Sequence, residues 1–161
     1  MSHRISALFR SCLIVGVAAI GLLLSQCSKA ADTSSDAAGE HVHHAPHGGS
    51  LVEIGEEFAH LELVLDPATG QLTAFALDGE AENPARLKQP SITIHISNPK
   101  VDLVLQGVAS PLTGETLGDT SEFVVQNDQL KGVSRFDGVV EALTIKGGDF
   151  NNVQFTYSRS N

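Results

Sequence analysis

Four histidines crowd into seven residues of this chain: His41, His43, His44 and His47. With His60 they place five of the seven histidines within twenty residues. Neutral imidazole suits Zn(II), Cu(II) and Ni(II). His41 and His43 are separated by one residue and His44 and His47 by two, so a pliable segment can fold such neighbours onto one cation. A tight site adds a donor from a rigid element. His60 and Glu62 stand two apart in a strand-like stretch and share a face, so either can complete the shell. The expected metal ligands are therefore His41, His43, His44, His47, His60 and Glu62. Beyond the apolar N-terminal run the only cysteine is Cys27, and Met1 is the only methionine. A soft Cu(I) site is not expected. Weak or moderate buffering or transfer fits better than a buried structural ion, with binding fading as imidazole protonates below about pH 6.

Other readings of these residues stand beside this one. A histidine-rich linker is also plain composition, or a segment that gains charge in acid. His60 and Glu62 also read as an ordinary exposed strand pair. His95 falls on the polar face of its strand and reads as solvated, not as a ligand. Glu56 and Glu57 follow Gly55 in a turn and read as surface charge.

The elements that must position these groups are β-strands. Ala59, Leu61, Leu63 and Leu65 alternate with His60, Glu62 and Val64, so the first set is expected to face the core and the second to be more exposed. Asp66-Pro67-Ala68-Thr69-Gly70 is a turn sequence. Residues 72–77 follow at hairpin distance, which predicts antiparallel pairing with 59–65. Ile92, Ile94 and Ile96 alternate with Thr93, His95 and Ser97, and Asn98-Pro99 ends that strand. A further strand begins at Val101, residues 110–121 form a longer loop, and Phe123 and Val125 mark a short strand. Residues 139–146 and 153–157 make a final hairpin around Gly147-Gly148. About eight short strands predict an all-β domain, a single antiparallel β-sandwich of immunoglobulin-like size rather than a small barrel. Leu61, Leu63, Ile92, Ile94, Phe123, Leu143 and Phe155 are its expected core.

Ahead of this domain, Arg4 and Arg10 precede an uncharged apolar run over residues 13–24. That layout is a secretory signal, and it is short for a spanning helix, which needs about 20 residues. An uncleaved membrane anchor is the longer-shot alternative. Leu24-Ser25-Gln26-Cys27 resembles a lipobox, although Gln26 replaces the usual small residue. Ser28-Lys29-Ala30 offers an ordinary cleavage site instead, which would leave a soluble periplasmic protein. The expected organisation is a signal peptide over 1–26, a lipid-anchored flexible linker over 27–50 with Cys27 lipidated, and the β domain over 51–161. Without cysteine the domain has no disulfide. The net charge of −9 becomes −11 once Arg4 and Arg10 leave with the signal. So acidic a chain is not a nucleic-acid binder.

From His47-Gly48-Gly49 onward the chain resembles a small bacterial envelope domain that opens with His-Gly-Gly. That domain occurs alone in lipoproteins and precedes the main body of some heavy-metal efflux adaptor subunits. Leu51-Val52-Glu53, Glu62-Leu63-Val64-Leu65-Asp66 with Gly70, Ala74-Phe75-Ala76-Leu77-Asp78, Phe123 and Ile145-Lys146-Gly147 carry the resemblance. It implies a compact β domain, a link to metal, an efflux or other envelope protein as partner, and His47, with His60 less firmly, as ligands. It transfers no catalytic residue. No nucleophile elbow, phosphate loop or H-E-x-x-H is present, so no enzyme is expected. Two functions remain: a lipid-anchored, metal-binding envelope protein, or a lipid-anchored module binding a protein or glycan with no physiological metal.

Overall fold

A computed structural model describes residues 43–159. The signal segment, Cys27, His41 and the linker up to Val42 lie outside the described residues.

The domain is all-β, as the alternation of apolar residues predicts. Its strands are β1 (Ser50–Ile54), β2 (Ala59–Asp66), β3 (Gln71–Leu77), β4 (Ser91–Ile96), β5 (Val101–Gly107), β6 (Glu122–Gln126), β7 (Arg135–Ile145) and β8 (Gly148–Ser158). A single 3-10 turn, Asp128–Leu130, sits between β6 and β7. All neighbours pair antiparallel in the order β1-β2-β3-β6-β5-β4-β7-β8. The β2–β3 hairpin forms in the expected place, with Leu65 opposite Leu72. The final hairpin is longer than its apolar pattern suggested, running from Arg135 to Ser158.

The two layers of the expected sandwich are made by one sheet rolled over onto itself. Ser50 Oγ donates to Thr156 O at 3.5 Å, and a side chain at Gly55 would strike the Phe150 ring. β1 therefore lies along β8 and nearly closes a barrel, yet no ladder joins these two strands among the described residues. All seven expected core residues are buried, joined by Leu72, Leu103, Leu105 and Val140 from the strands between. Burying each such side chain contributes about 1.5–3 kcal/mol against exposure.

One expectation is corrected on β2. His60 is 4% exposed and Glu62 is 0% exposed, so neither lies on an open face. The cause is the segment 43–49, read from sequence as the end of a flexible linker. It lies instead across the outer face of β2 and β3 and covers both side chains. This strap carries no regular structure, which agrees with its composition.

The loops sort to two ends. Turns 55–58 and 146–147, the loop 78–90 and the loop 108–121 occupy one end, here the upper end. The turns 67–70 and 97–100 and the 3-10 turn occupy the lower end.

Candidate metal centre

Asp78 builds the wall of the site. Its Oδ1 accepts from the backbone N–H of Glu82 (3.0 Å) and Asn83 (3.2 Å), and its Oδ2 from Asn83 Nδ2 (2.8 Å). The Asn83 side-chain bond holds the Asp78 carboxyl below the ordinary range, against opposition from partial burial. The backbone closes the same loop, with Asp78 N–H donating to Asn83 O at 2.9 Å. Gly79 is required here, because a side chain would strike the Glu57 carbonyl across the loop.

This closed loop presents two carbonyls to two imidazoles. Asp78 O accepts from His60 Nδ1 and Glu80 O from His43 Nδ1, each at 3.2 Å. A carbonyl can only accept, so each Nδ1 carries a proton, and in the neutral ring that leaves the lone pair on Nε2. Ligating histidines are typically oriented in this way by a bond to the far nitrogen. The two rings lie 4.7 Å apart, centroid to centroid, tilted by 54°. His43 Nε2 is buried, and among the described residues it has no hydrogen-bond partner. An orphaned buried nitrogen costs roughly 1–3 kcal/mol.

Glu57 Oε1 stands 3.6 Å from that nitrogen, just beyond bonding distance. Sequence reading placed Glu57 in a turn as surface charge. It is in that turn, but it faces the histidine pair. The backbone around it is unusual: Gly55, Glu56 and Glu57 lie at φ 62°, 52° and 64° in succession. Left-handed backbone costs an L-residue about 1–2 kcal/mol, and such strain gathers at functional sites. A signal for it was present in Gly55-Glu56-Glu57, where a glycine opens a tight turn that carries acid toward a histidine strand.

The His47-Gly48-Gly49 word has a different job. Glu62 Oε1 accepts from the backbone N–H of His47 and of Gly49, both at 2.8 Å, and Oε2 accepts from His47 Nδ1 at 2.7 Å. The His47 ring stacks on Phe75, 3.8 Å between centroids and 13° from parallel. Gly48 sits at φ 73°, and a side chain at Gly49 would collide with the Leu63 carbonyl oxygen. These residues form a clasp that fixes the strap to β2 and β3, and both Glu62 oxygens are spent on it. The clasp uses only the Nδ1 edge of the His47 ring.

Of the sequence-derived set, then, His43 and His60 meet, and His47 and Glu62 meet as the clasp. His44 is exposed beside them. His43 and His44 both line a groove of about 360 Å³ that passes Gly49, Ser50 and Leu51. Among the described residues no three His, Cys, Asp or Glu side chains are already arranged to hold a metal. The site offers two oriented imidazoles and a carboxylate close by, an incomplete shell.

His95 is not simply solvated. Its Nδ1 lies 2.8 Å from Asp102 Oδ1 and its Nε2 3.6 Å from Glu141 Oε2. The Asp102 bond, then the charges of Asp102 and Glu141, raise its pKa above the ordinary histidine value. Both ring nitrogens face carboxylates, so this histidine is a cross-strand charge pair. A depression of about 470 Å³ over β7 and β8, lined by Ser97, Asp137, Gly138, Gln154, Phe155 and Thr156, contains no histidine. Its one carboxylate, Asp137, is taken by the Thr156 hydroxyl at 2.6 Å. Among the described residues no helix is long and apolar enough to cross a membrane. No family model, curated protein or solved structure matches the chain.

Proposed function

We propose that this chain is an exported envelope protein that binds a divalent transition cation, Zn(II), Cu(II) or Ni(II), for buffering or delivery. His43 and His60 are the primary ligands. The observation that carries this reading is the pair of imidazoles whose Nδ1 protons are committed to the Asp78–Glu80 loop, one of them with a buried, unpartnered Nε2. Glu57, His44, His41 and water supply the remaining donors. Four-coordinate sites that keep an exchangeable position release their cation more readily than closed ones, which suits buffering. The apolar run and Cys27 support a domain tethered to a membrane and facing the periplasm, and the His-Gly-Gly resemblance suggests an efflux or other envelope protein as the recipient. Glu62 and His47 hold the strap that carries His43.

Calorimetric titration with Zn(II) and Cu(II) at neutral pH tests the reading. Binding is expected in the parent protein, unchanged in H95A and lost in H43A/H60A. No heat from the parent, or equal heat from H43A/H60A, refutes it.

A further inference from the structure

The described residues contain four large apolar side chains that are substantially exposed: Phe58, Val104, Leu112 and Leu117. Three of the four belong to loops of the upper end. Leu112 is 100% exposed and Leu117 is 71% exposed, both on the loop between β5 and β6. Phe58 is 39% exposed on the turn between β1 and β2, with Lys146 Nζ 5.5 Å from its ring centre.

The leucine loop is built to hold its shape. Ser110 and Glu115 exchange backbone hydrogen bonds (2.9 and 3.1 Å), as do Thr116 and Asp119 (2.9 and 3.1 Å). Arg86 donates to the carbonyls of Thr113 and Gly114, and Lys88 Nζ pairs with Asp119 at 2.8 Å. Glu115 Oε1 takes the N–H and hydroxyl of Ser121. Most polar groups of the loop are thus satisfied inward, Asp119 Oδ1 being buried without a hydrogen-bond partner among the described residues, while two leucines stand largely uncovered. Folding does not require leucine at either position. Exposed apolar groups that gather on one face, unlike scattered ones, mark contact surfaces, and three of the four here share one end.

The same end is where the chain enters the described domain. His43 bonds Glu80 and faces Glu57, both at the upper end. Cys27, the expected lipid attachment point, lies 16 residues before His43. A connection of that length joins the domain at the upper end, and the lower end lies the eight residues of β2, about 26 Å, farther on. Such a tether favours contact by the end it enters over contact by the far end. Lys88 and Lys146 stand on the upper end, but so do Glu56, Glu80 and Glu82, so net attraction to anionic lipid is not the driving force.

We propose that the upper end is a bilayer-contacting face, with Leu112 and Leu117 entering the interfacial region of the membrane to which the chain is attached. This rests on the reading of Cys27 as lipidated, and it does not depend on the metal assignment. The chain contains no tryptophan, so a single one reports cleanly. The full mature chain carrying L112W, L117W or, for comparison on the outer face of β5, V104W is reconstituted into phosphatidylcholine vesicles, plain or brominated along the acyl chain. Quenching by brominated lipid is expected for L112W and L117W, roughly twofold or more over plain vesicles, with little for V104W. Flotation with vesicles but equal, weak quenching at all three positions overturns the contact while leaving the lipid reading intact. Failure to float sinks both. A shift of L112W emission in native membranes but not in protein-free vesicles also overturns the proposal, because the occupant is then a protein.

Discussion

Glu62 is the point at which the fold and the proposed site are joined, and replacing it separates them. Its carboxylate is wholly buried and accepts three hydrogen bonds, two from backbone amides and one from the His47 ring. Hydrogen bonds to charged acceptors are worth about 1.5–3 kcal/mol each and do not add in full. E62Q keeps the volume and one carbonyl oxygen, and loses the charge and the acceptor for His47. Its expected cost is about 1–2 kcal/mol. E62A removes all three bonds and leaves two amides without acceptors, for an expected loss of about 3–5 kcal/mol. The ceiling is the free energy with which the strap docks, because residues 43–49 can lift away while the strands stay paired. With a urea slope of about 1–3 kcal/mol/M for a small domain, a 3 kcal/mol loss moves the midpoint down by about 1–3 M. Hydrogen exchange adds a local readout, since the Gly49 and His47 amides should lose protection in E62A while those of β4 and β5 keep theirs. Zn(II) affinity should fall tenfold or more in E62A, because His43 leaves with the strap although no ligand is changed. A denaturation midpoint and Gly49 exchange rate equal to those of the parent would refute the clasp.

Other consequences are separable from that one. E57G should leave stability unchanged or raise it by up to about 1 kcal/mol, since relief of left-handed strain outweighs the added chain entropy, yet weaken Zn(II) binding; thermal melting and calorimetry on one sample decide it. G48A should cost about 1 kcal/mol for its positive φ alone, whereas G49A, which collides with backbone, should cost more and raise strap exchange. NMR titration should show His95 protonating above the ordinary histidine range, and D102N should bring it back down. Because the folded value is raised, this pair stabilises the fold in acid below the unfolded histidine pKa, and the contribution is lost as pH rises through the folded value. L63A, at a fully buried position, should cost about 2–5 kcal/mol by denaturation.

Much of the strand framework was legible because each half-buried strand writes its own period. Ile92-Thr93-Ile94-His95-Ile96 needs no partner to declare which face is apolar, and Asp66-Pro67-Ala68-Thr69-Gly70 declares its turn. β2 misled for a physical reason. Alternation reports that two faces differ in polarity, not that the polar one meets water. His60 and Glu62 are polar and buried because a second layer of chain supplies their hydrogen bonds, and that layer lies outside the strand's own sequence. The histidine cluster was legible in composition, but which of its members meet was not. Choosing His43 and His60 depends on two carbonyls of the Asp78–Glu80 loop, and backbone acceptors leave no residue-specific trace. Glu57 was legible only in part: Gly55-Glu56-Glu57 marks the turn, but the approach to His43 comes from three successive left-handed residues, two of them not glycine.

The seam between β1 and β8 bears on how copies of this protein meet. An open sheet offers two strand edges to any extended peptide, and a crowded envelope supplies many. Here the two edges face each other: β1 runs from Ser50 beside Thr156 to Gly55 beside Phe150. An intruding strand must first pry one edge from the other, pulling Gly55 off the Phe150 ring. Asn152, at φ 53°, breaks the regular backbone of β8 in the middle of that edge. The molecule thereby covers its own strand edges without cystine or a closed ladder between β1 and β8 among the described residues.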